Sequence, residues 1–387
     1  MTSNASLIES GDARWDTARA AWNLAVDQRP AACAVPASAE EAAAAVGAAA
    51  GRGLRVAVQN TGHAAGRLPI DDGTLLLRTG GLDAVAIDPD RRVARIGGGV
   101  QWGAVVDAGA EHGLAPAAGS SPLVGAVGYL LGGGHGWLAG RTGLAANDLI
   151  AAEVVTGDGE IVRLDDEVDD EAMWALRGGG GGWAAVTAVE VALHPVGEIA
   201  GGSLMYPVER AVEVLEAWRE WSAGLPEGVT TIGRVLRFPP VEPVPEPLRG
   251  RAFAIVEAVD LDGPARLDGL LAGLREMEPA MDTIRPMRST DLSQVHMDPP
   301  EPVPAVGGGV LVGALTADAV GAIVAAASKA GIDAVRGAAA PHAAGHGLPN
   351  LAAESDPSAS IFPPDDLARL TAVADRLDPD GRFVRRP

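Results

Sequence analysis

The sequence predicts an α+β fold of two domains, and three observations support this. The chain has 387 residues, more than one ordinary domain needs. Patterns typical of helices and of short strands follow one another without a strict βαβ repeat. After Pro195 the character of the chain changes, and a longer helix and longer strands begin. We predict a first domain over 1–197, completed by 350–387, and a smaller α/β domain over 198–349 whose antiparallel sheet is covered by helices.

The N-terminal part begins with helical patterns. Apolar positions three or four residues apart predict a helix over 12–27. A second helix begins after Ser38, a suitable N-cap with Glu41 three residues later, and ends at a glycine. The strand LRVAVQ and the turn NTGHAAG follow directly.

The later elements are predicted from the same patterns. Strands are expected in TLLLRT, AVAIDPD, RVARIGGG, IAAEVVTGDGEIVRL (a pair with a hairpin turn), AVTAVEVALHP, 229–238, 251–260 and GGVLVGALT. Helices are expected in QWGAVVDAGAEHG, 207–223, 263–276, 317–330 and DDLARLTAVADRL.

Composition restricts the partners. A net charge of −21 disfavours nucleic acid and anionic membrane surfaces, which would repel the protein. No apolar run reaches the roughly 20 residues that span a bilayer. The single cysteine, Cys33, excludes an intramolecular disulfide and a cysteine-based metal cluster. Because the first residues do not read as a secretory signal, we expect a cytoplasmic monomer or homodimer whose partner is a small molecule.

Two glycine-rich loops, 59–66 and 119–136, predict a phosphate site. Glycines let backbone N–H groups approach a ligand closely, and successive N–H groups form an anion-binding concavity. Each loop alone is as readily a tight connector, but two loops beside strands favour one dinucleotide. The G-x-G-x-x-G motif of a nicotinamide site is not at the first strand-to-helix turn. A P-loop is excluded because its motif needs Gly-Lys and Lys329 is the only lysine.

Four strings in continuous order, within 30–195, resemble the FAD-linked oxidases of the vanillyl-alcohol oxidase superfamily. The berberine-bridge-enzyme-like branch is the most similar. The strings are RVAVQNTGHAAG, ARIGGGVQWGAVV, GSSPLVGAVGYLLGGGHGWLAGRTGLAANDLIAAEVVTGDGEIV and MWALRGGGGGWAAVT, and DPDGRF at 378–383 resembles the closing segment of that family more weakly. The resemblance implies a two-domain PCMH-type FAD-binding fold with FAD as cofactor.

The resemblance also implies how the flavin is attached. In that family the first loop ends in Gly-His, and the histidine is bonded to the 8α-methyl of FAD. His63 stands at that position, although a purely structural role in the loop is the alternative. Many members add a second bond through a cysteine in G-x-C-P-x-V-G, where this chain has Ser121. We therefore expect FAD to be bonded through His63 only, and to be less oxidising than a doubly bonded flavin.

Further cofactor contacts are carried over by position. They concern the two glycine loops, one strand residue and one residue of the C-terminal part. These positions are Gln59, Asn60, Thr61, Gly62, His63, Gly66, Gly119, Ser120, Ser121, Val124, Gly125, Gly128, Tyr129, Gly133, Gly134, His135, Gly136, Leu138, Val186 and Asn350.

Catalysis would need a base in the second domain. A flavin oxidase holds the substrate carbon over N5 for hydride transfer while a base takes the O–H or N–H proton. Candidates by residue type are Tyr206, Glu257, Asp291, His296 and His342, each of which also suits a structural or surface role. Family members commonly carry a tyrosine and an asparagine near the end of this domain. The stretch 347–351 keeps only Asn350.

These features predict an FAD-dependent oxidoreductase. Its substrate would be an alcohol, an amine or a C–C bond of a small secondary-metabolite-like molecule, with O₂ as electron acceptor. Because the usual base is absent, a non-redox step such as cyclisation, dehydration or isomerisation is an alternative, and a non-catalytic flavin-binding protein is another. His342 and His346 have a spacing that suits a metal on a helix, but the intervening Ala-Ala-Gly lacks a glutamate, so no metal is expected.

Overall fold

The computed structural model describes residues 6–242, 244–327, 332–347, 349–352 and 361–385. The strands are β1 Ala32–Ala34, β2 Arg55–Gln59, β3 Thr74–Arg78, β4 Val85–Asp88, β5 Val93–Gly97, β6 Leu114–Ala115, β7 Leu149–Val155, β8 Ile161–Asp165, β9 Ala185–Ala192, β10 His194–Pro195, β11 Ile199–Pro207, β12 Val229–Arg237, β13 Ala252–Asp260, β14 Met281–Asp282 and β15 Arg285–Met287. The helices are α1 Trp15–Arg19, α2 Ala39–Gly51, α3 Trp102–Ala110, α4 Ala126–Leu131, α5 Ala139–Thr142, α6 Asp170–Leu176, α7 Ala211–Ser222, α8 Pro264–Leu270, α9 Ala272–Arg275, α10 Ala317–Ala327, α11 Ile332–Ala339 and α12 Pro364–Leu377.

A small parallel sheet in the order β1-β3-β2 opens the first half of the chain. Helix α2 covers it with the buried face Ala42, Ala45, Val46 and Ala49. The predicted cap is confirmed, because the Glu41 amide donates to Ser38 Oγ at 3.2 Å. The Glu41 carboxylate in turn accepts from the amide of Ala37 at 2.9 Å.

An antiparallel sheet in the order β4-β5-β9-β7-β8 forms the larger layer of this half. Its core combines β5, β7 and β9 with side chains from helices α3, α4, α6 and α12. Trp102 of α3 and Leu130 of α4 are almost fully buried there. The short helix α4 is thereby held against the sheet, with the loops at its two ends on the same side of the molecule.

The second sheet has the order β12-β13-β11-β14, and β15 also pairs with β11. Since side chains alternate across a strand, its two faces can be separated by register. Ala254, Val256 and Ala258 pack with α7 and α8. Val259 packs instead with Trp137 and Leu138 of the first half. One face is therefore covered by helices and the other meets the glycine-rich half.

One predicted helix is too long, and one predicted strand is not formed in the described structure. The helix over 12–27 is only α1, because Ala20 is extended and the Trp22 and Asn23 amides then donate to the carbonyls of Thr61 and Gly62. The predicted strand GGVLVGALT is not formed. Within the described part of that region, the strand-type pairing is a single bridge between Val312 and Ala343.

Two further predicted helices differ in detail. The helix over 263–276 divides into α8 and α9. The helix over 317–330 is α10, and 328–331 lie outside the described residues. No helix among the described residues is long and apolar enough to cross a bilayer.

The C-terminal segment returns to the first sheet. The Val56 amide of β2 donates to the carbonyl of Arg382 at 2.7 Å, and the Val384 amide donates to the carbonyl of Val56 at 2.9 Å. Asp378 is 1% exposed and accepts from the amides of Arg382 and Phe383 at 2.8 and 3.0 Å. The DPDGRF motif is thus a turn held by a buried carboxylate.

Replacing that carboxylate should loosen the C-terminal segment. We expect Asp378→Ala to lower the free energy of unfolding by about 2 to 3 kcal/mol, because two hydrogen bonds to a charged acceptor are lost. Asp380→Ala in the same turn is the control, since the Asp380 side chain is 71% exposed and should change stability by less than about 0.5 kcal/mol. Urea unfolding measures both, and equal losses would contradict the role of Asp378.

Candidate flavin site

A cavity of about 340 Å³ lies between the glycine loops and the C-terminal segment. It includes five of the positions predicted to bind the cofactor: Gln59, Asn60, Gly128, Val186 and Asn350. The run Gly179, Gly180, Gly181 and Gly182 lines it as well, as do the side chains of Arg67, Thr79, Trp183, Phe383 and Arg385. Backbone and small residues therefore form much of the lining, and the two arginines Arg67 and Arg385 belong to it as well.

The loop around Gly132–Gly136 requires glycines for two different reasons. Gly133 and Gly134 have φ of 103° and 70°, which L side chains rarely adopt. A Cβ on Gly136 would collide with the carbonyl of Ala118, and one on Gly132 with the side chain of Asn350. The loop is pinned because Gly133 and Gly134 carbonyls accept from the amides of Ala146 and Ala145.

The loop 59–66 is fixed by polar side chains at its start. Gln59 and the buried Gln28 exchange two amide hydrogen bonds of 3.0 and 2.8 Å. Asn60 donates to the carbonyl of Val100 at 3.3 Å and lies where a Cβ on Gly125 would be. Gly66 falls in the 3₁₀ turn Ala65–Arg67. The two predicted glycine loops therefore contact each other directly.

His63 is held in a defined, largely apolar position. Its ring stacks on Trp22 with centroids 4.1 Å apart and planes inclined by 15°. Nδ1 lies 2.7 Å from Thr61 Oγ1, whereas Nε2 is buried and has no hydrogen-bond partner among the described residues. Desolvation lowers the pKa of His63 to about 4, against a smaller opposing effect of the Asp298 charge. The imidazole is therefore neutral at pH 7 and retains a lone pair.

The second loop supplies further predicted positions. The Ser121 hydroxyl accepts from the amide of Leu123 at 3.4 Å. Tyr129 packs on Gly119, Gly134 and Gly136, and its hydroxyl is buried with no partner in the described structure. Burial raises the pKa of Tyr129 well above its usual range.

The other predicted positions of this loop differ in accessibility. The His135 side chain is exposed to solvent, although partial desolvation by the surrounding protein lowers its pKa. Leu138 is buried against the second sheet. Val124 is half-buried against the core of the sheet β4-β5-β9-β7-β8. The loop thus presents His135 to solvent and uses Leu138 and Val124 for packing.

A charged cluster from the second sheet faces this loop. His296 Nδ1 lies 2.6 Å from Oε2 of Glu257, which is fully buried on β13. Arg234 of β12 lies 2.5 Å from Glu257 Oε1 and donates to the carbonyl of His296 at 2.8 Å. An imidazole nitrogen that donates to a carboxylate carries the ring hydrogen, so donation from Nδ1 to Glu257 leaves the lone pair on Nε2, which lies 3.4 Å from Nη1 of Arg234. Buried charges need such pairing.

Two contacts place this cluster beside the glycine loop 119–136 and Trp137, the residue that follows it. The ring of His296 meets the edge of Trp137 with centroids 6.4 Å apart. Asp298, two residues later, accepts a 2.5 Å hydrogen bond from Ser120 Oγ. The segment 296–298 therefore bridges the second sheet and the loop 119–137.

The remaining candidates do not join the cluster. Tyr206 is fully buried on the helix-covered face of the sheet, and its hydroxyl donates to the carbonyl of Leu274 at 2.7 Å. Burial raises its pKa to about 12. Asp291 caps the 3₁₀ turn Ser289–Gln294 by accepting from the Arg288 amide. His342 ends the turn Ala340–His342, and in the described part of the chain no group of three or more His, Cys, Asp or Glu is arranged to hold a metal.

Several lining residues were not predicted from the sequence. The run 178–182 lies within the string MWALRGGGGGWAAVT, and its four lining members could have been named from that glycine pattern. Arg67, Arg385 and Arg234 carry no local motif. They reach the site through the fold alone, by strand register or by the return of the C-terminal segment.

Comparison with known proteins agrees with this geometry. Residues 30–165 match the family described as an FAD binding domain. The chain is 38% identical over 179 residues to glucooligosaccharide oxidase of Sarocladium strictum, covering 46% of this chain and 36% of that protein. It is 35% identical over 188 residues to (R)-6-hydroxynicotine oxidase of Paenarthrobacter nicotinovorans, covering 49% and 41%. The matched sequence thus spans well under two thirds of these relatives.

Solved structures extend the similarity to the whole chain. The crystal structure of 6-hydroxy-D-nicotine oxidase from Arthrobacter nicotinovorans superposes with a TM-score of 0.86 at 23% identity, covering 98% of this chain and 96% of that one. The berberine-bridge-enzyme-like 1 protein of Physcomitrella patens gives 0.81 at 17% identity, covering 99% and 96%. The predicted fold and family resemblance are confirmed: residues 30–165 match an FAD binding domain, and the chain has the fold of these two solved structures.

Proposed function

We propose that this protein is an FAD-dependent oxidase of a small organic molecule, with FAD bonded through His63 alone. The residues present fit such a cofactor. A buried histidine has an unpartnered nitrogen, and the cavity that glycine backbone lines includes Ala64, the next residue, although not His63 itself. When bound, FAD supplies the two-electron oxidation and is restored by O₂ with release of hydrogen peroxide.

A single bond to the cofactor follows from the cysteine content. One solved structure of glucooligosaccharide oxidase carries a 6-S-cysteinyl, 8α-N1-histidyl FAD. In this chain the only cysteine, Cys33, is fully buried in β1 of the parallel sheet. No second thiol exists for a cysteinyl bond, and Ser121 stands in the loop instead.

The observation that carries the oxidase proposal is the buried Glu257–His296 pair beside Trp137 and Ser120. With Nδ1–H directed at Glu257, Nε2 of His296 can accept the O–H or N–H proton that a substrate loses on oxidation, in place of its long 3.4 Å contact with Nη1 of Arg234. Glu257 fixes the orientation of the ring. Arg234 compensates the buried carboxylate when the imidazole is neutral. The chain therefore offers a positioned base although it lacks the tyrosine common in similar proteins.

The function is tested with substrate classes taken from the relatives, namely an amine such as 6-hydroxynicotine, an oligosaccharide and simple alcohols. Anaerobic loss of the visible flavin absorption together with peroxide release in air supports an oxidase. Conversion of a compound with no flavin bleaching would instead show non-redox catalysis. Absence of any response across the panel would favour a flavin-binding protein without this activity.

The covalent bond can be tested by acid precipitation. We expect the yellow colour of the wild-type protein to stay in the pellet, and that of His63→Ala to pass to the supernatant, because the only proposed attachment atom is removed. His112→Ala, at an exposed position after α3 and outside the predicted cofactor contacts, is the matched control and should keep its colour in the pellet. Colour retained by the His63→Ala pellet would refute attachment at this residue.

Gly128 gives a test of the cavity itself. It lies within α4 and lines the cavity, and a Cβ there would meet no protein atom within 4 Å. We expect Gly128→Ala to leave protein stability equal or raised by about 0.5 to 1 kcal/mol, as alanine favours helix. FAD binding should weaken, because the methyl group occupies the cavity.

The matched control for Gly128 is Gly47→Ala. Gly47 is also a helical glycine, in α2, with open space around its Cβ position. This variant should gain similar stability and keep its FAD content. Unchanged flavin content in Gly128→Ala, and also in the larger Gly128→Leu, would show that FAD does not occupy this cavity.

The base is tested by rate. We expect His296→Ala to slow anaerobic flavin reduction by a factor of about 10² to 10⁴, the usual contribution of a general base, and Glu257→Gln to slow it less. His112→Ala, at an exposed helix end, is the control. If His296→Ala reduces its flavin at the wild-type rate while keeping normal FAD content, another group is the base.

A further inference from the structure

A second cavity, of about 230 Å³, is lined by Trp137, whose ring also lies 6.4 Å from that of His296. It is formed by the start of α3, the loop after β6 and the turn Ser289–Gln294 of the second half of the chain. Among the described residues none lines both this cavity and the cavity of about 340 Å³, although Gly119 and Leu138, two of the positions predicted to contact the cofactor, line this one. It is therefore a separate space at the boundary between the two sheets.

Three unsatisfied polar groups belong to its wall. Trp102 and Trp137 are 1% and 2% exposed, and their indole N–H groups find no acceptor among the described residues. The hydroxyl of Thr290 is likewise buried without a partner in the described structure. Buried polar groups are normally paired, and each unpaired one costs about 1 to 3 kcal/mol. Their convergence on one cavity indicates an occupant that accepts hydrogen bonds.

Apolar and polar residues share the rest of the wall. The apolar side chains are those of Val106, Ala115, Pro116, Pro122 and Leu292, and the polar ones are those of Asp107, Ser289 and Ser293. Apolar side chains combined with a few polar groups are typical of a small-molecule site.

The mouth of the cavity argues for a neutral ligand. An open cleft of about 600 Å³ shares Asp107, Ser289 and Thr290 with it, so this is the side that reaches solvent. Asp107 is exposed there, and the chain carries a net charge of −21. Both disfavour the entry of an anion.

We propose that this cavity binds a small neutral carbonyl compound, such as a ketone, lactone or amide. Its carbonyl oxygen accepts from the two indole N–H groups, which can only donate, and from the Thr290 hydroxyl. Its apolar body fills the remaining space. Because Trp137 lines this cavity and also packs near His296, the ligand contacts a residue that borders the proposed base.

The experiment uses the FAD-loaded protein labelled with ¹⁵N at its eight tryptophans. Cyclohexanone is titrated as the probe, and methylenecyclohexane, of the same shape but without an oxygen acceptor, is the control compound. We expect two indole signals to shift saturably with cyclohexanone only. Trp102→Phe and Trp137→Phe identify them.

Two variants make the test specific. Thr290→Val keeps the side-chain shape and removes one donor, so the affinity should fall about threefold to tenfold. Ala118→Leu fills the cavity and should abolish the shifts. Thr17→Val, at an exposed position of α1, is the control and should bind as the wild type does.

Several results would overturn the proposal. One is the absence of a saturable shift, which would mean that the cavity holds water only. Another is an equal response to methylenecyclohexane, which would mean that the indole donors do not select the ligand. Shifts that persist unchanged in both Thr290→Val and Ala118→Leu would place the probe elsewhere. The visible flavin spectrum of the same samples reports separately on the flavin site.

Discussion

The close approach of backbone to backbone at a few glycines is the constraint on which the rest of this structure depends. At Gly98 a Cβ would lie 2.6 Å from the carbonyl of Val186, and at Gly136 it would collide with the carbonyl of Ala118. The first contact lies between the end of β5 and β9, where Gly98 and Val186 line the cavity, and the second joins the loops on the two sides of α4. A cofactor with phosphates and a flat ring system is suited to such a wall.

The second sheet acts through the alternation of its strands. Glu257 and Val259 point to the glycine-rich half, whereas Val256 and Ala258 point to the helices. A shift of one residue in register would turn the helix-facing side chains toward the glycine-rich half and remove both Glu257 and Arg234 from the site. Tyr206 illustrates the same rule in the opposite sense. Its register pairs it with Ala254 on the helix face, so a residue of suitable chemistry is directed away from the flavin loops.

Features that depend on neighbouring residues were predicted well from the sequence. Features formed by residues that only the fold brings together were predicted poorly. The Ser38 cap, the hairpin between β7 and β8 and the helix α12 depend on neighbouring residues, and they formed as expected. The glycine loops were found because glycine leaves a visible pattern. Arg234 could not be found in this way, because its partner Glu257 is 23 residues away and the two meet only by strand pairing. His296 and Glu257 were separate candidates until the fold joined them.

The wrong extent of the helix predicted over 12–27 also comes from contacts between residues that are distant in sequence, and it bears on the flavin proposal. Periodicity predicts a helix through 12–27, but the chain leaves helical geometry after Arg19 so that the amides of Trp22 and Asn23 can bond to the loop of His63. That departure places the indole of Trp22 on the imidazole. Stacking and desolvation then act together, because the same burial that fixes the ring orientation also keeps it neutral. Trp22, whose spacing fits the helical pattern, is thus the residue that packs on His63 instead, and sequence periodicity alone could not reveal it.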